Sequence, residues 1–115
     1  MKDAQYIYRA RCSKVISGDT IDALIDVGFN IWVRKRVRLF NITAPAMNSR
    51  DADVRRAATI SKQRLRDLIY NELFIVESCQ LAKHETSMAV IYCHGHNINQ
   101  QMIEEGHATK RDAPK

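Results

Sequence analysis

Val15-Ile16-Ser17-Gly18-Asp19-Thr20-Ile21-Asp22 is the stretch that decides the fold of this chain. It has the pattern of a strand end, a tight turn containing glycine and an acid, and the start of a second strand. Its counterpart is Arg36-Val37-Arg38-Leu39-Phe40-Asn41-Ile42-Thr43-Ala44-Pro45-Ala46, a strand ending in a proline turn. Glycine in the first turn suggests a backbone with positive φ, which glycine adopts easily. The two stretches predict part of an antiparallel meander.

The rest of the chain adds strands and helices around this meander. Alternation of apolar and polar residues, together with β-branched content, predicts strands. Apolar residues at helical spacing, with a cap from Asp51 or Asp53, predict an amphipathic helix that runs through about Tyr70. Asn97 or Asn99 caps a short helix that Gly106 ends. The predicted strands are 6–16, 20–27, 31–40, 73–81 and 88–93, and the short helix is 98–105.

This order of elements predicts a mainly β, α+β fold. A five-stranded antiparallel OB barrel fits, with one helix between strands 3 and 4 and a short C-terminal helix. A length of 115 residues suits one domain with one core. We expect the core to span residues 6–108 and residues 109–115 to form a flexible tail.

Composition narrows the classes of partner. The formal net charge is +5 and the pI is about 9.3, which suits a polyanion such as nucleic acid. No apolar run approaches the length of a membrane span, and the first residues lack the apolar core of a signal peptide. Three widely spaced cysteines suggest reduced thiols. We therefore expect a cytoplasmic protein without a membrane partner.

The two opening stretches resemble the active-site half of a staphylococcal nuclease-like (thermonuclease) domain. The resemblance covers roughly residues 6–108 and includes Val27-Gly28-Phe29, Ala57-Ala58 with Leu65 in the helix, and Asn97-Ile98-Asn99-Gln100. It implies an OB barrel. It also implies metal-dependent hydrolysis of phosphodiester bonds in DNA and RNA, usually with calcium.

Site residues carry over from this resemblance position by position. Asp19 matches the first metal carboxylate of the family, and Arg38 matches its first phosphate-binding arginine. The positions of the second metal carboxylate, the glutamate and the second arginine correspond to Thr43, Ala46 and Thr86. A single carboxylate should hold calcium weakly, because affinity follows the number and charge of the ligands. Loss of several groups that act together removes most of the rate.

Several aspartate, cysteine and histidine residues elsewhere in the chain could be considered as metal ligands, but simpler roles explain most of them. Asp22, Asp51 or Asp53 could replace the missing carboxylates, although helix capping is the simpler role for the last two. A zinc site is disfavoured because the spacing of the cysteine and histidine residues does not match a structural zinc motif. The residues in question are Cys93, His94, His96 and His107.

Basic and aromatic residues suggest a binding surface. OB barrels bind single strands with a mixture of charge and aromatic rings, but we expect Trp32 and Phe40 to lie in the core. The candidate nucleic-acid-binding residues are Arg34, Lys35, Arg36, Arg38, Arg55 and Arg56.

The sequence thus favours a catalytically degenerate thermonuclease-like domain that binds nucleic acid or a protein target. Such a small domain would suit a phage or mobile element, by analogy. Two alternatives stay open. One is an active calcium-dependent nuclease that uses Asp19 and Arg38, and the other is a protein-interaction module. Whether the chain is an enzyme is left open, with the balance against it. We expect no cofactor other than calcium in an active form. The oligomeric state is open, and a dimer is one option.

Overall fold

The computed structural model describes residues 6–80 and 86–110. Strands and helices alternate in the order expected from the sequence, with short extra strands at three positions. The described elements are β1 (Tyr6–Ser17), β2 (Thr20–Asp26), β3 (Trp32–Leu39), β4 (Ile42–Thr43), α1 (Ala52–Ile69), β5 (Leu73–Gln80), β6 (Thr86–Cys93), β7 (His96–Asn97), α2 (Ile98–Glu104) and β8 (Thr109–Lys110).

Five strands close into a barrel. Their order is β3-β2-β1-β5-β6, and β3 also pairs with β6, which joins the two ends of the sheet. The closing pair is parallel, with Arg36 opposite Thr86 and Leu39 opposite Ala89, while the other neighbours are antiparallel. The barrel confirms the OB-like, mixed α+β fold that the sequence predicts. The parallel closure could not be predicted from strand periodicity, which carries no information on strand direction.

Alternating burial fills the barrel interior. On β2, Ile21, Ala23 and Ile25 are buried while the residues between them are partly exposed. The pairing of β1 with β2 shifts between Cys12 and Lys14 and again between Val15 and Ser17. Such bulges increase twist and bend the strand. Here they allow one long strand to pair with both β2 and β5.

Helix α1 packs against β1, and its Leu65 and Ile69 belong to the core cluster. The Asp51 carboxylate accepts a hydrogen bond of 2.8 Å from the backbone N–H of Asp53, which confirms the predicted N-cap. Its buried positions are Ala58, Ser61, Leu65 and Ile69, which fall at helical spacing. The helix therefore presents one stripe to the core, as its sequence pattern predicts.

The C-terminal part of the described chain differs slightly from expectation. Asn97 caps α2 by accepting a hydrogen bond from Gln100 N–H at 3.0 Å, and Gly106 ends the helix with φ +82°. Thr109 and Lys110, which the sequence placed in a flexible tail, form β8 and pair with β4. The rest of that predicted tail, 111–115, lies outside the described residues.

The region before β6 also differs. The fifth strand was predicted for 88–93, whereas β6 begins two residues earlier, at Thr86. Residues 83–85 lie outside the described residues. Within the described parts of the chain, neither helix has both the length and the apolar character needed to cross a membrane.

An ion pair between Arg64 and Glu105 links α1 to the end of α2. Two nitrogens of the guanidinium donate to the two carboxylate oxygens at 2.6 and 2.9 Å. These hydrogen bonds, with a further one from Gln101, lower the pKa of Glu105 to about 2. The carboxylate is accordingly favoured in its charged form when the protein is folded.

Replacement of Glu105 by glutamine is expected to flatten the acid dependence of stability. A folded-state pKa below the usual 4.5 contributes stability that is complete above pH 4.5 and is lost as pH falls towards 2. Urea unfolding at pH 7 and pH 3 should show a smaller difference for Glu105→Gln than for the parent chain. Glu104→Gln on the exposed side of α2 serves as the matched control. Equal pH dependence for all three proteins would contradict this role of the ion pair.

Candidate functional site

The turn between β1 and β2 is fixed by contact with α1. Gly18 does not have a positive φ, so the predicted reason for a glycine here is wrong. A Cβ atom at this position would lie 1.8 Å from Ser61 Oγ and 2.9 Å from Ala44 Cβ. Glycine is required because the turn lies directly against the helix and the following loop. This close approach also positions the side chain of the next residue, Asp19.

The Asp19 carboxylate is buried, with 8% of the residue exposed. One oxygen accepts hydrogen bonds from the hydroxyls of Ser17 at 2.8 Å and Thr20 at 3.0 Å. The other oxygen accepts the backbone N–H of Ala44 at 3.0 Å. The guanidinium of Arg38 lies 3.7 Å from that second oxygen. The carboxylate of Asp19 is thus stabilised by three hydrogen bonds and by the nearby positive charge of Arg38.

The residues at the other family positions show no comparable convergence. Thr43 is exposed in β4, and its carbonyl accepts a hydrogen bond of 3.4 Å from the Thr109 hydroxyl. Ala46 is exposed in the loop that follows. The backbone of Thr86 lies opposite Arg36 in the parallel pair, and its side chain is outside the description. The structure therefore brings Asp19 and Arg38 together. The neighbouring segment contributes Thr43 and Ala46, neither of which has a carboxylate.

Two of the other acids that the sequence offered as metal ligands are engaged elsewhere. Asp22 lies opposite Arg36 and accepts two hydrogen bonds from it, at 2.9 and 3.2 Å. These bonds lower the pKa of Asp22, and the charges of Arg36, Arg34 and Lys14 act in the same direction. Asp51 caps α1.

No group of three or more His, Cys, Asp or Glu side chains arranged to hold a metal is found within residues 6–80 and 86–110. At the site predicted from the resemblance, Asp19 is the one carboxylate that the described residues supply, and each of its oxygens accepts at least one hydrogen bond from the protein. A calcium ion takes six to eight oxygen ligands, mainly from carboxylates, carbonyls and water. The residues present around Asp19 do not fit that requirement.

The predicted binding residues separate into different surfaces. Arg34, Arg36 and Arg38 alternate along β3, opposite Leu24, Asp22 and Thr20 of β2. Residues directly opposite in an antiparallel pair point to the same side of the sheet, so these arginines lie on the outer surface of the barrel. Lys35, in contrast, lines a cavity of about 150 Å³ at the mouth of the barrel.

The two helix arginines have local partners. Arg55 donates to the backbone carbonyls of Ser49 at 2.8 Å and Arg50 at 3.1 Å, which holds the loop before α1. Arg56 forms an ion pair with Asp53 at 2.9 Å, three residues earlier on the helix. Both side chains contact α1 or its N-terminal loop. A role for them in nucleic-acid binding stays a prediction.

Two large aromatic residues lie at the surface, contrary to the sequence prediction that they are core. Trp32 is 43% exposed and Phe40 is 37% exposed. Trp32 begins β3 opposite Asp26, so it shares the outer surface of the barrel with Arg34 and Arg36. The interior is instead filled by aliphatic residues and Phe74. The surface position of Trp32 makes it available for contact with a ligand.

Two buried polar residues near the site were missed at the sequence level. The Ser61 hydroxyl donates to the carbonyl of His107 at 2.9 Å, which ties α1 to the segment after α2. Asn99 accepts from the N–H of Ile91 at 3.1 Å and donates to the carbonyls of Phe40 and Ala89. The sequence presented Asn99 as one of two candidate caps, and only the pairing of β3 with β6 reveals its role.

The described cysteine and histidine side chains offer little chemistry. Burial raises the pKa of the Cys12 thiol to about 11 and also raises the pKa of the Cys93 thiol. Both thiols are therefore poor nucleophiles at neutral pH. His94 lies 2.9 Å from Glu72, and His96 is exposed.

The closed five-strand barrel with a helix between β4 and β5 defines an OB-type domain. A family model described as "Staphylococcal nuclease homologue" matches residues 36–115. Because this match covers more than half of the chain, the chain belongs to the staphylococcal nuclease family. The match begins at Arg36, so Asp19 and the first two strands lie outside it. A search of curated proteins found no match.

Proposed function

We propose that this member of the staphylococcal nuclease family binds nucleic acid without cleaving it. The observation that carries the proposal is the arrangement of Asp19, whose carboxylate is satisfied by Ser17, Thr20, the Ala44 N–H and Arg38. In this arrangement the carboxylate stabilises the turn and the loop after β3. A metal ion would have to compete with these donors, which the fold already holds in position.

Charge supports the binding half of the proposal. The chain carries a formal net charge of +5, and three arginines of β3 lie on the outer surface of the barrel. Lysine and arginine supply most of the affinity of non-specific nucleic-acid binding, by releasing counterions from the phosphates. Cytoplasmic location and a phage or mobile-element origin accord with this proposal and rest on sequence argument alone.

An active nuclease is the second candidate, and family membership favours it. It would use Asp19 for the metal and Arg38 for the phosphate, with further ligands from elsewhere. The ion pair between Arg38 and Asp19, at 3.7 Å, weakens this candidate, because each charge is partly neutralised by the other. A protein-interaction module is the third hypothesis. The experiment below would favour it if neither cleavage nor binding of nucleic acid were found.

The decisive experiment measures cleavage and binding in the same samples. Single-stranded DNA, duplex DNA and RNA are incubated with calcium, magnesium, manganese or EDTA, and one half of each sample is run as a gel shift. We expect no cleavage above that of Asp19→Asn, and a shift that weakens steeply with salt and does not depend on metal. The Asp19→Asn protein is checked for folding by circular dichroism.

Other outcomes are equally clear. Metal-dependent cleavage that disappears in Asp19→Asn would overturn the proposal and establish the nuclease. Neither cleavage nor a shift would also overturn it, and would direct attention to a protein partner. A shift that is insensitive to salt would contradict binding through phosphate contacts.

A further inference from the structure

The outer surface of β1, β2 and β3 collects positive charge from two strands. In register, Arg9 lies opposite Asp26, Arg11 opposite Leu24, and Lys14 opposite Asp22. For this surface the sequence pattern pointed to the arginines of β3, whereas the pairing adds three basic residues of β1. We call this surface the basic sheet face, and its cationic members are Arg9, Arg11, Lys14, Arg34, Arg36 and Arg38.

The basic sheet face keeps a surplus of charge after its internal ion pairs are counted. Arg9 pairs with Asp26 at 3.2 Å, while the pairs of Arg36 and Arg38 with acids of β2 and its turn were described above. Among the described residues of this face, six cations against three acids leave three positive charges. In the described part of the chain, Arg11, Lys14 and Arg34 form no ion pair.

Apolar groups lie between the cations. Leu24, in the central strand, has Arg11 on one side and Arg34 on the other. Trp32 lies two residues along β3 from Arg34, which places the two residues about 7 Å apart on the same side of the sheet. The ring is 43% exposed. A ring next to spaced cations is the combination with which proteins bind unpaired bases and the backbone that joins them.

We propose that the basic sheet face binds single-stranded nucleic acid, with a base stacked on Trp32 and phosphates contacted by Arg11, Lys14 and Arg34. This inference rests on the proposed function and names its ligand and its surface. Arg11 on β1 and Arg34 on β3 lie about 10 Å apart, with β2 between them. A single strand of nucleic acid can therefore lie along this face between the basic residues of β1 and those of β3.

Preference for a single strand follows from the aromatic contact. A base in a duplex stacks on its neighbours and does not offer its face to a protein side chain, whereas an unpaired base does. Phosphate contacts alone would favour either form. The proposal therefore places specificity for single strands in Trp32 and affinity in the cations.

Trp32 is the only tryptophan of the chain, so its fluorescence reports on this surface alone. Short oligo-dT and oligo-U are titrated into the full chain, with a hairpin duplex of equal phosphate content as the comparison. We expect both single strands to quench the fluorescence, and the duplex to bind more weakly with little quenching. Affinity is measured in parallel by the anisotropy of a labelled oligonucleotide over a salt series.

Variants then separate stacking from charge. Trp32→Leu keeps apolar bulk and should lower single-strand affinity about tenfold, within the range for removal of one stacked base, with little change for the duplex. Arg11→Ala and Arg34→Ala should each reduce the slope of log affinity against log salt by about 0.7. Lys62→Ala removes an equal charge from α1, at a residue outside the candidate binding set, and should leave both quantities near those of the parent chain. Thermal melting shows which variants are folded.

The outcomes distinguish this inference from the proposed function. Salt-sensitive binding of all nucleic acids, with no quenching and no effect of Trp32→Leu, Arg11→Ala or Arg34→Ala, would overturn the inference and leave the proposed function standing. Binding reduced by Lys62→Ala but not by the sheet variants would likewise move the site to α1. Absence of binding to every oligonucleotide would overturn both.

Discussion

Substitution of Gly18 by alanine is expected to destabilise the protein by about 3 kcal/mol, the upper end of the usual cost of overpacking. The added Cβ would lie 1.8 Å from Ser61 Oγ, and both Ser61 Cβ and Ala44 Cβ would be 2.9 Å away. Ser61 is buried in the middle of α1 and cannot move without shifting the helix. A loss of this size is a large part of the total stability of a small domain. Urea unfolding followed by circular dichroism measures it.

Gly28→Ala is the matched control. Gly28 has φ +89° but nothing within 4 Å of an added Cβ, so only the left-handed backbone costs energy, about 1 kcal/mol. A double variant Gly18→Ala with Ser61→Gly should lose less stability than the sum of its two single changes, because the second removes part of the collision. Equal losses for Gly18→Ala and Gly28→Ala would contradict the close packing of turn and helix.

The positions of the strands could be predicted because each strand buries one of its two sides. This burial leaves an alternation of apolar and polar residues in the sequence. Ile21, Ala23 and Ile25 show this period directly, and the barrel follows from five such strands. The reason for Gly18 could not be predicted, since it depends on Ser61, a residue far along the chain. A local pattern can indicate that a turn exists, but not which helix packs against it.

The same limit applies to the binding surface. Sequence spacing groups Arg34, Arg36 and Arg38 on one side of β3, but the addition of Arg11 from β1 depends on strand register. Trp32 was expected in the core because large aromatic residues are usually well buried. It lies at the first position of β3, on the outer side. Register, set by long-range pairing, decides which residues meet on this face.

Substitution of Asn99 is the second change for which we expect a large loss of stability. Its side chain forms hydrogen bonds with backbone groups where the barrel closes. Its side chain accepts from the Ile91 N–H at 3.1 Å and donates to the carbonyls of Phe40 at 3.0 Å and Ala89 at 3.2 Å. The residue is 5% exposed, so water cannot easily substitute for it. Asn99→Ala should cost about 3 kcal/mol, since a buried unsatisfied group costs about 1 to 3 kcal/mol and at least two lose their side-chain partner.

Two comparisons test whether the cost arises from these hydrogen bonds. Asn97→Ala, which removes only the exposed cap of α2, should cost about 1 kcal/mol. Asn99→Asp keeps an acceptor for Ile91 but directs a carboxylate at two carbonyl oxygens. Those oxygens disfavour the charged form and raise the folded-state pKa of the new acid.

The Asn99→Asp protein should therefore lose least stability, relative to the parent chain, at low pH, where the protonated carboxyl can donate again. Stability curves from pH 7 to pH 4 measure this, together with amide exchange at Ile91. If Asn99→Asp lost the same stability at every pH, the two carbonyls would not face the side chain as described. A cost for Asn99→Ala no greater than that of Asn97→Ala would show that the barrel closes without this bridge. The loop after β3 carries the Ala44 N–H that donates a hydrogen bond to Asp19. That loop would then have to be held by the backbone hydrogen bonds between the strands alone.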